Sequence, residues 1–113
     1  MPTRYYIRLP DPAAARGPIP ALAFRSHSAE GFAEELQHAL RTRDLFDRWS
    51  ALQDDPDNVD PALGSTDPEA IVHGTQSDLH VDLIVDTRLP STVLRQRMQL
   101  LAGDHWQLRD VTA

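Results

Sequence analysis

The sequence predicts an α+β fold whose elements follow the order β-α-β-β-α-β. Four short stretches alternate apolar with polar residues, which is the period of a strand with one buried face. Two longer stretches place apolar residues three or four positions apart, which is the period of an amphipathic helix. This order is the split βαβ motif, so we expect a four-stranded antiparallel sheet in the order 4-1-3-2 with two helices on one face.

The first strand is predicted over residues 4–9, where every odd position is aromatic or aliphatic. The prolines that follow end the strand, because proline has no amide hydrogen for a β-ladder. Residues 10–20 contain four prolines and one glycine, which is typical of a loop. The next segment, residues 21–26, remains open between an additional edge strand and an extended lead into the helix.

Two helices are predicted from their caps and apolar stripes. Ser28 can accept a hydrogen bond from a free amide one turn into the first helix, which begins at residue 29 and either continues to residue 52 or breaks before it. Its stripe is formed by Phe32, Leu36, Ala39 and Leu40. The second helix begins at Pro90 and ends before Gly103, because glycine is common after a helix C-terminus.

The remaining strands form a hairpin and a final strand. Residues 70–76 and 79–87 are expected to pair around a two-residue turn at Ser77 and Asp78. The last strand is predicted within residues 105–111, where Trp and Leu alternate with polar side chains. No internal repeat is visible in the chain.

Alternation assigns the strand residues to two faces of the sheet, because successive side chains in a strand point to opposite sides. The face beneath the helices is predicted to carry Tyr5, Ile7, Leu9, Val72, Leu79, Val81, Leu83, Val85, Trp106 and Leu108. The opposite face is predicted to be open and to carry Tyr6, Arg8, Ile71, His73, Thr75, His80, Asp82, Ile84, His105, Gln107 and Arg109. We expect a partner or a ligand to bind on the open face.

The predicted interface or ligand surface consists of Tyr6, Arg8, Ile71, His73, His80, Asp82, Ile84 and Arg109. The hairpin register places Ile71 opposite Ile84, which makes a small apolar patch. It also places His73 opposite Asp82. With His80, these residues include the ligand types of a metal site and of a poised base. Solvated polar residues are the simpler interpretation, so we assign no metal ligand, no cofactor and no catalytic residue.

Composition limits the class of protein. A length of 113 residues fits one domain, residues 1–113. The absence of cysteine excludes disulfides and thiolate zinc sites. No stretch approaches the roughly 20 apolar residues of a membrane span, and the N-terminus lacks the apolar run of a signal peptide. We therefore expect a cytoplasmic protein without a membrane partner.

Acidic charge is concentrated in one Asp-Pro-rich segment, residues 53–69. This segment holds six of the 17 acidic residues and no basic one, so the other 11 carboxylates balance the 11 Arg residues. Its Asp-Pro pairs favour a loop, which we expect to be mobile. It does not match an EF-hand, because Val59 and Asp60 stand where that loop needs an oxygen ligand and a glycine. A nucleic-acid partner is disfavoured, because no basic surface accompanies the sheet.

The element order resembles that of the ferredoxin-like superfold, which hosts many unrelated functions. No phosphate-binding loop or nucleophile motif is present. We therefore expect a non-catalytic module that forms a homo-oligomer or binds a protein partner through the open face or an edge strand. The alternative is a ligand-binding or metal-binding protein, or a small enzyme, that uses His73, His80 and Asp82. A third hypothesis makes the acidic segment the ligand of a basic partner, in which case deletion of residues 54–67 would leave stability nearly unchanged.

Overall fold

The computed structural model describes residues 2–112, and its elements follow the predicted order. The strands are β1 (Thr3–Leu9), β2 (Ile71–Ser77), β3 (His80–Thr87) and β4 (Gln107–Thr112). The α-helices are α1 (Ala29–Arg41), α2 (Asp44–Ala51) and α3 (Ser91–Ala102). The strands form one antiparallel sheet in the order β2-β3-β1-β4, which confirms the predicted order 4-1-3-2 and the ferredoxin-like topology.

The first predicted helix is broken in two at Thr42. This residue has extended backbone angles, φ −129° and ψ 164°, so the chain leaves α1 there before α2 begins. Ser28 caps α1 as predicted, since its Oγ accepts a hydrogen bond of 3.0 Å from the N–H of Gly31. Gly103 follows α3 with φ 63°, the left-handed conformation that glycine adopts without strain.

The core lies between the helices and one face of the sheet. The most deeply buried side chains are Ile7, Leu9, Val81, Leu83 and Val85 from the sheet, and Phe32, Leu36, Leu40, Leu94 and Met98 from the helices. The even residues of β3, beginning with His80, are only half-buried on the other face. The helices therefore cover one face and leave the other open, as the alternation predicted.

Residues 21–26 do not form the additional edge strand. Leu22 and Phe24 are buried in the core. The N–H of Phe24 donates to the carbonyl of Leu101 in α3, and the next two amides donate to the carboxylate of Glu35 in α1. Because the helices take its amide hydrogens, this segment is a buried connection and not part of the sheet.

The predicted turn of the β2–β3 hairpin is wrong by one residue. Ser77 pairs with His80, so the turn consists of Asp78 and Leu79. Asp78 adopts φ 54°, a left-handed conformation that short hairpin turns require and that a short polar side chain tolerates. The pairing register therefore shifts by two, which keeps every residue on its face but changes its neighbour. Leu79, predicted to be buried, is 86% exposed.

The two edges of the sheet differ. At the β2 edge, the N–H of Val72 donates to Oε1 of Gln37 at 3.0 Å, and Nε of Arg41 donates to the carbonyl of Ala70 at 2.6 Å. Both side chains come from α1, which packs so closely on Gly74 that a Cβ there would clash with the helix main chain. Side chains of α1 thus occupy the start of the β2 edge, although most residues of both edge strands, β2 and β4, are exposed.

The acidic segment is anchored at its C-terminal end. Residues 54–58 are exposed, but Asp67 is buried. The Asp67 carboxylate accepts hydrogen bonds from the hydroxyl of Thr87 at 2.8 Å and from the amides of Arg88 and Glu69 at 2.9 and 3.0 Å. Burial raises the pKa of Asp67, but these hydrogen bonds and the charge of Arg88 outweigh burial and lower it overall.

Arg97 of α3 holds the same segment and is completely buried. Its guanidinium donates to the carbonyls of Ala39, Leu63 and Ser65 at 2.5–3.1 Å, and it lies 5.6 Å from the centre of the Phe46 ring. Burial lowers the pKa of Arg97, yet an arginine stays protonated in proteins. The end of the acidic segment is therefore part of the folded structure, and its deletion is expected to destabilise the protein.

Candidate functional site

The open face is arranged in rows that cross the four strands. One row contains Ile71, Asp86, Arg4 and Thr112, the next His73, Ile84, Tyr6 and Asp110, and the third Thr75, Asp82, Arg8 and Gln107. His80 lies beyond these rows, opposite Ser77 at the hairpin end of β3. Arg109 has no partner on β1 and forms a β-bulge that also faces this side. The eight predicted residues therefore share the open face.

The predicted apposition of Ile71 and Ile84 is wrong. Because of the shifted register, Ile71 lies opposite Asp86 and Ile84 lies opposite His73. The two isoleucines are diagonal neighbours, which places them about 7–8 Å apart. Ile71 is 43% exposed, and Ile84 is half-buried. Polar side chains thus divide the apolar patch, and it is a weaker interface than predicted.

Two ion pairs join β1 to β3 on the open face. Arg4 donates two hydrogen bonds to Asp86, at 2.8 and 3.2 Å, and Arg8 donates one to Asp82 at 2.9 Å. Partial burial raises the pKa of Asp82, but the hydrogen bond and charge of Arg8, together with His80, lower it overall. Asp82 is therefore charged at neutral pH and paired, which is unlike a carboxylate poised to accept a proton in catalysis.

His80 lies close to Asp82, but the predicted pairing of His73 with Asp82 is wrong. Nε2 of His80 is 3.2 Å from Oδ2 of Asp82, a contact that is an ion pair only when the ring is protonated. The same nitrogen is buried and makes no well-aligned hydrogen bond within residues 2–112. His73 stands opposite Ile84, four positions along β3 from His80 and so roughly 13 Å away. Within the described residues, no three His, Asp or Glu side chains are placed to hold a metal ion.

An open groove of about 400 Å³ crosses the centre of this face. Its lining includes Tyr6, Arg8, Asp82, Ile84, Arg109 and Asp110. Arg8 and Asp82 are already bonded to each other, so the groove offers a small ligand few free polar groups. Arg109 and Asp110 are the exposed charges, and both belong to the edge strand β4.

β4 is the least shielded strand of the sheet. Leu108 and Val111 lie on the helix side, because they pair with Ile7 and Tyr5, whose side chains are buried. Leu108 is nevertheless only half-buried and Val111 is 46% exposed, whereas the residues of β3 on this side are completely buried. The helices therefore stop short of β4. Trp106 and Leu108, predicted to be buried, are only half-buried for this reason.

A second concavity of about 530 Å³ lies between residues 21–26 and helices α1 and α2. Oδ2 of Asp44 is 3.7 Å from Nε2 of His38 and 3.5 Å from the guanidinium of Arg48. The three side chains are about half exposed, so water weakens the ion pair between Asp44 and Arg48. Sequence alone did not predict this cleft, because its wall depends on how residues 21–26 pack.

Comparisons of the chain with protein-family models, curated proteins and solved structures found no match. Among residues 2–112, none of the helices has the length and apolar character needed to cross a membrane. Function is therefore inferred from the geometry of the sheet and of its two edges.

Proposed function

We propose that this protein is a non-catalytic self-association module in which a second copy of the chain joins the sheet along β4. The observation that carries the proposal is the incomplete cover over the helix side of β4, where Val111 is 46% exposed and Leu108 is half-buried. A strand added beside β4 would bury both side chains. Native proteins commonly cover or use such an exposed edge.

The main-chain groups of β4 also favour the addition of a further strand at this edge. The N–H of Val111 donates to Oδ1 of Asp110 at 2.8 Å, so it points away from β1. Val111 pairs with Tyr5 and Leu108 with Ile7, which are two residues apart on β1. In an antiparallel pair, the main-chain N–H and C=O of successive residues point alternately toward and away from the neighbouring strand. Leu108 therefore also directs its N–H and C=O outward, where a further strand can bond them.

Symmetry favours a second copy over an unrelated protein. Gln37 and Arg41 of α1 occupy the start of the β2 edge, so we take β4 as the edge that the second copy offers. Pairing of β4 with β4 uses the same surface twice, and two-fold dimers of this kind are the commonest protein assemblies. We place this dimer in the cytoplasm as part of the proposal.

Sedimentation velocity from low to high micromolar concentration tests the proposal. We expect the wild-type protein to dimerise with rising concentration and Val111→Asp to remain a monomer, because the aspartate would place a charge in the apolar contact on the helix side of each β4 strand. The matched control is Leu79→Asp, which changes an even more exposed apolar residue in the turn between β2 and β3, away from β4, and should dimerise as wild type does. A wild-type monomer at high micromolar concentration, or equal loss of dimer in both variants, would contradict the proposal.

The small-ligand, metal-binding or enzyme alternative receives less support. It needs His73, His80 and Asp82 to converge, but the observed register places His73 opposite Ile84 and not Asp82, and roughly 13 Å from His80. Titration with Zn²⁺, followed through the histidine side-chain NMR signals, checks this. Joint shifts of the His73 and His80 signals would restore the alternative, and unshifted signals would remove it.

A further inference from the structure

We infer that two copies pair through β4 in one antiparallel register, with a two-fold axis between Arg109 and Asp110. This inference rests on the proposed self-association and specifies its geometry. In this register, Arg109 of each copy faces Asp110 of the other. Leu108 of each copy faces Val111 of the other.

The order of faces along β4 permits this register. Arg109 has no partner on β1, because its neighbours Leu108 and Asp110 pair with consecutive β1 residues. Arg109 and Asp110 consequently both line the groove of the open face. From Gln107 to Thr112, the side chains lie on the open, helix, open, open, helix and open sides. This order reads the same from either end of the strand.

A two-fold axis that falls between two neighbouring residues of β4 requires an order of faces that reads the same in both directions. Opposed residues of antiparallel strands carry their side chains on the same face of the sheet. A regular strand alternates strictly, so an axis between two adjacent residues would oppose side chains that point to different faces. The bulge at Arg109 removes this mismatch, and every opposed pair between residues 107 and 112 shares a face.

The two neighbouring registers, with the axis through Arg109 or through Asp110, oppose like charges and also oppose side chains on different faces of the sheet. An axis through Arg109 opposes two guanidinium groups and sets Leu108 against Asp110. An axis through Asp110 opposes two carboxylates and sets Arg109 against Val111. Like charges directly opposed are destabilising. With the axis between Arg109 and Asp110, opposite charges meet on the open face and apolar residues meet on the helix side.

Pairing also replaces a local hydrogen bond by one between strands. In the single chain, Oδ1 of Asp110 accepts the N–H of Val111 and occupies the edge. In the pair, the carbonyl of Leu108 from the second copy accepts this N–H, and the carboxylate of Asp110 turns to Arg109 of the second copy. The outward main-chain groups and the exposed charges are then satisfied together.

Exchange of the two charges tests this register. Arg109→Asp and Asp110→Arg each replace two attractive contacts by two repulsive ones, so the dimer dissociation constant of either variant should rise at least ~10-fold. In an equimolar mixture of the two variants, one chain carries aspartate at both positions and the other carries arginine at both, so opposite charges meet again. The mixture should therefore dimerise, and native mass spectrometry should find one chain of each kind. The double variant carries both changes and should dimerise with itself.

Thermal unfolding of each variant confirms that the fold is retained, which is expected because both side chains are exposed. Arg43→Asp, at an exposed arginine before α2, controls for the change in total charge. Dimerisation of the single variants at wild-type strength, or a mixture that stays monomeric, would overturn the register. If Val111→Asp still abolishes the dimer in that case, self-association along β4 stands and only the register is wrong. A wild-type protein that does not dimerise removes the proposed function itself.

Discussion

Replacement of Asp67 by alanine should strongly destabilise the fold, even though this residue lies in an acidic, proline-rich segment. Its carboxylate accepts three hydrogen bonds of 2.8–3.0 Å, and the residue is 7% exposed. A hydrogen bond contributes about 1 kcal/mol, and somewhat more when the acceptor is charged, so the three together contribute about 3–4 kcal/mol. In a domain of this size, this loss should lower the Tm by roughly 12–16 °C.

The pH dependence of stability isolates the charge of Asp67. Its pKa in the folded state is lowered below the unfolded value of about 3.9. The carboxylate therefore stabilises the fold above that value, and this contribution disappears as the pH falls through the lower, folded pKa. Below about pH 4, the stability of the wild-type protein should fall more steeply than that of Asp67→Asn, which has no charge to lose.

Urea unfolding at a series of pH values measures both effects. The matched control is Asp57→Asn, which changes an exposed aspartate of the same segment and should alter stability by less than about 0.5 kcal/mol. If Asp67→Ala were as stable as this control, the three hydrogen bonds would not anchor the segment. Parallel acid curves for wild type and Asp67→Asn would refute the account of its charge.

Three further predictions test the packing. Arg97→Lys should lower the free energy of unfolding by about 2–3 kcal/mol, because an ammonium cannot reproduce the hydrogen bonds of the planar guanidinium. Its control, Arg95→Lys on the exposed side of α3, should have little effect in the same urea titration. Gly74→Ala should lower the free energy of unfolding by about 1–3 kcal/mol, since its Cβ would overlap the main chain of α1. An unchanged Tm would mean that α1 lies further from β2. Leu83→Ala should lower the free energy of unfolding by about 2–5 kcal/mol, and Ile84→Ala by about 1 kcal/mol or less, because only Leu83 lies on the buried face of the sheet. If calorimetry finds Ile84→Ala to be the more destabilising of the two, the assignment of the two sheet faces is wrong.

The elements and their order could be predicted because local patterns determine them. The alternation from Val81 to Val85 assigns five consecutive residues to two faces without knowledge of their neighbours. Ser28 and Gly103 mark helix ends through their own conformational preferences. Once these elements are placed, the handedness of crossovers and the compactness of the chain leave few topologies, and the observed sheet order is one of them.

The hairpin register could not be read from the alternation. A turn at Ser77 and Asp78 or at Asp78 and Leu79 keeps the same parity, so both satisfy the pattern of faces. The choice depends on which residue adopts the left-handed conformation, and Asp78 takes it as the first residue of the turn. This single choice changed the partners of Ile71 and of His73, and with them the predicted patch and the predicted base.

The features that now define the candidate site are non-local. The bulge at Arg109 is visible only when β4 is aligned with β1, and the exposure of Val111 depends on where the helices stop. Arg97 shows the same limit: its spacing from Leu94 and Leu101 places it on the apolar side of α3, but this spacing does not tell which groups a buried guanidinium would bond. Its partners are carbonyls from segments far away in the chain, which no local pattern identifies.

The cover over β2 restricts what this sheet can build. A sheet that is free at both sides can recruit strands repeatedly, which is how edge-to-edge aggregation and filaments arise. Here Oε1 of Gln37 accepts the N–H of Val72, and Arg41 donates to the carbonyl of Ala70 just before β2, so side chains of α1 occupy the start of this edge. In two chains joined at β4, these contacts would oppose the addition of a further strand at each outer β2 edge. Gln37→Ala would free the N–H of Val72 and so favour larger assemblies.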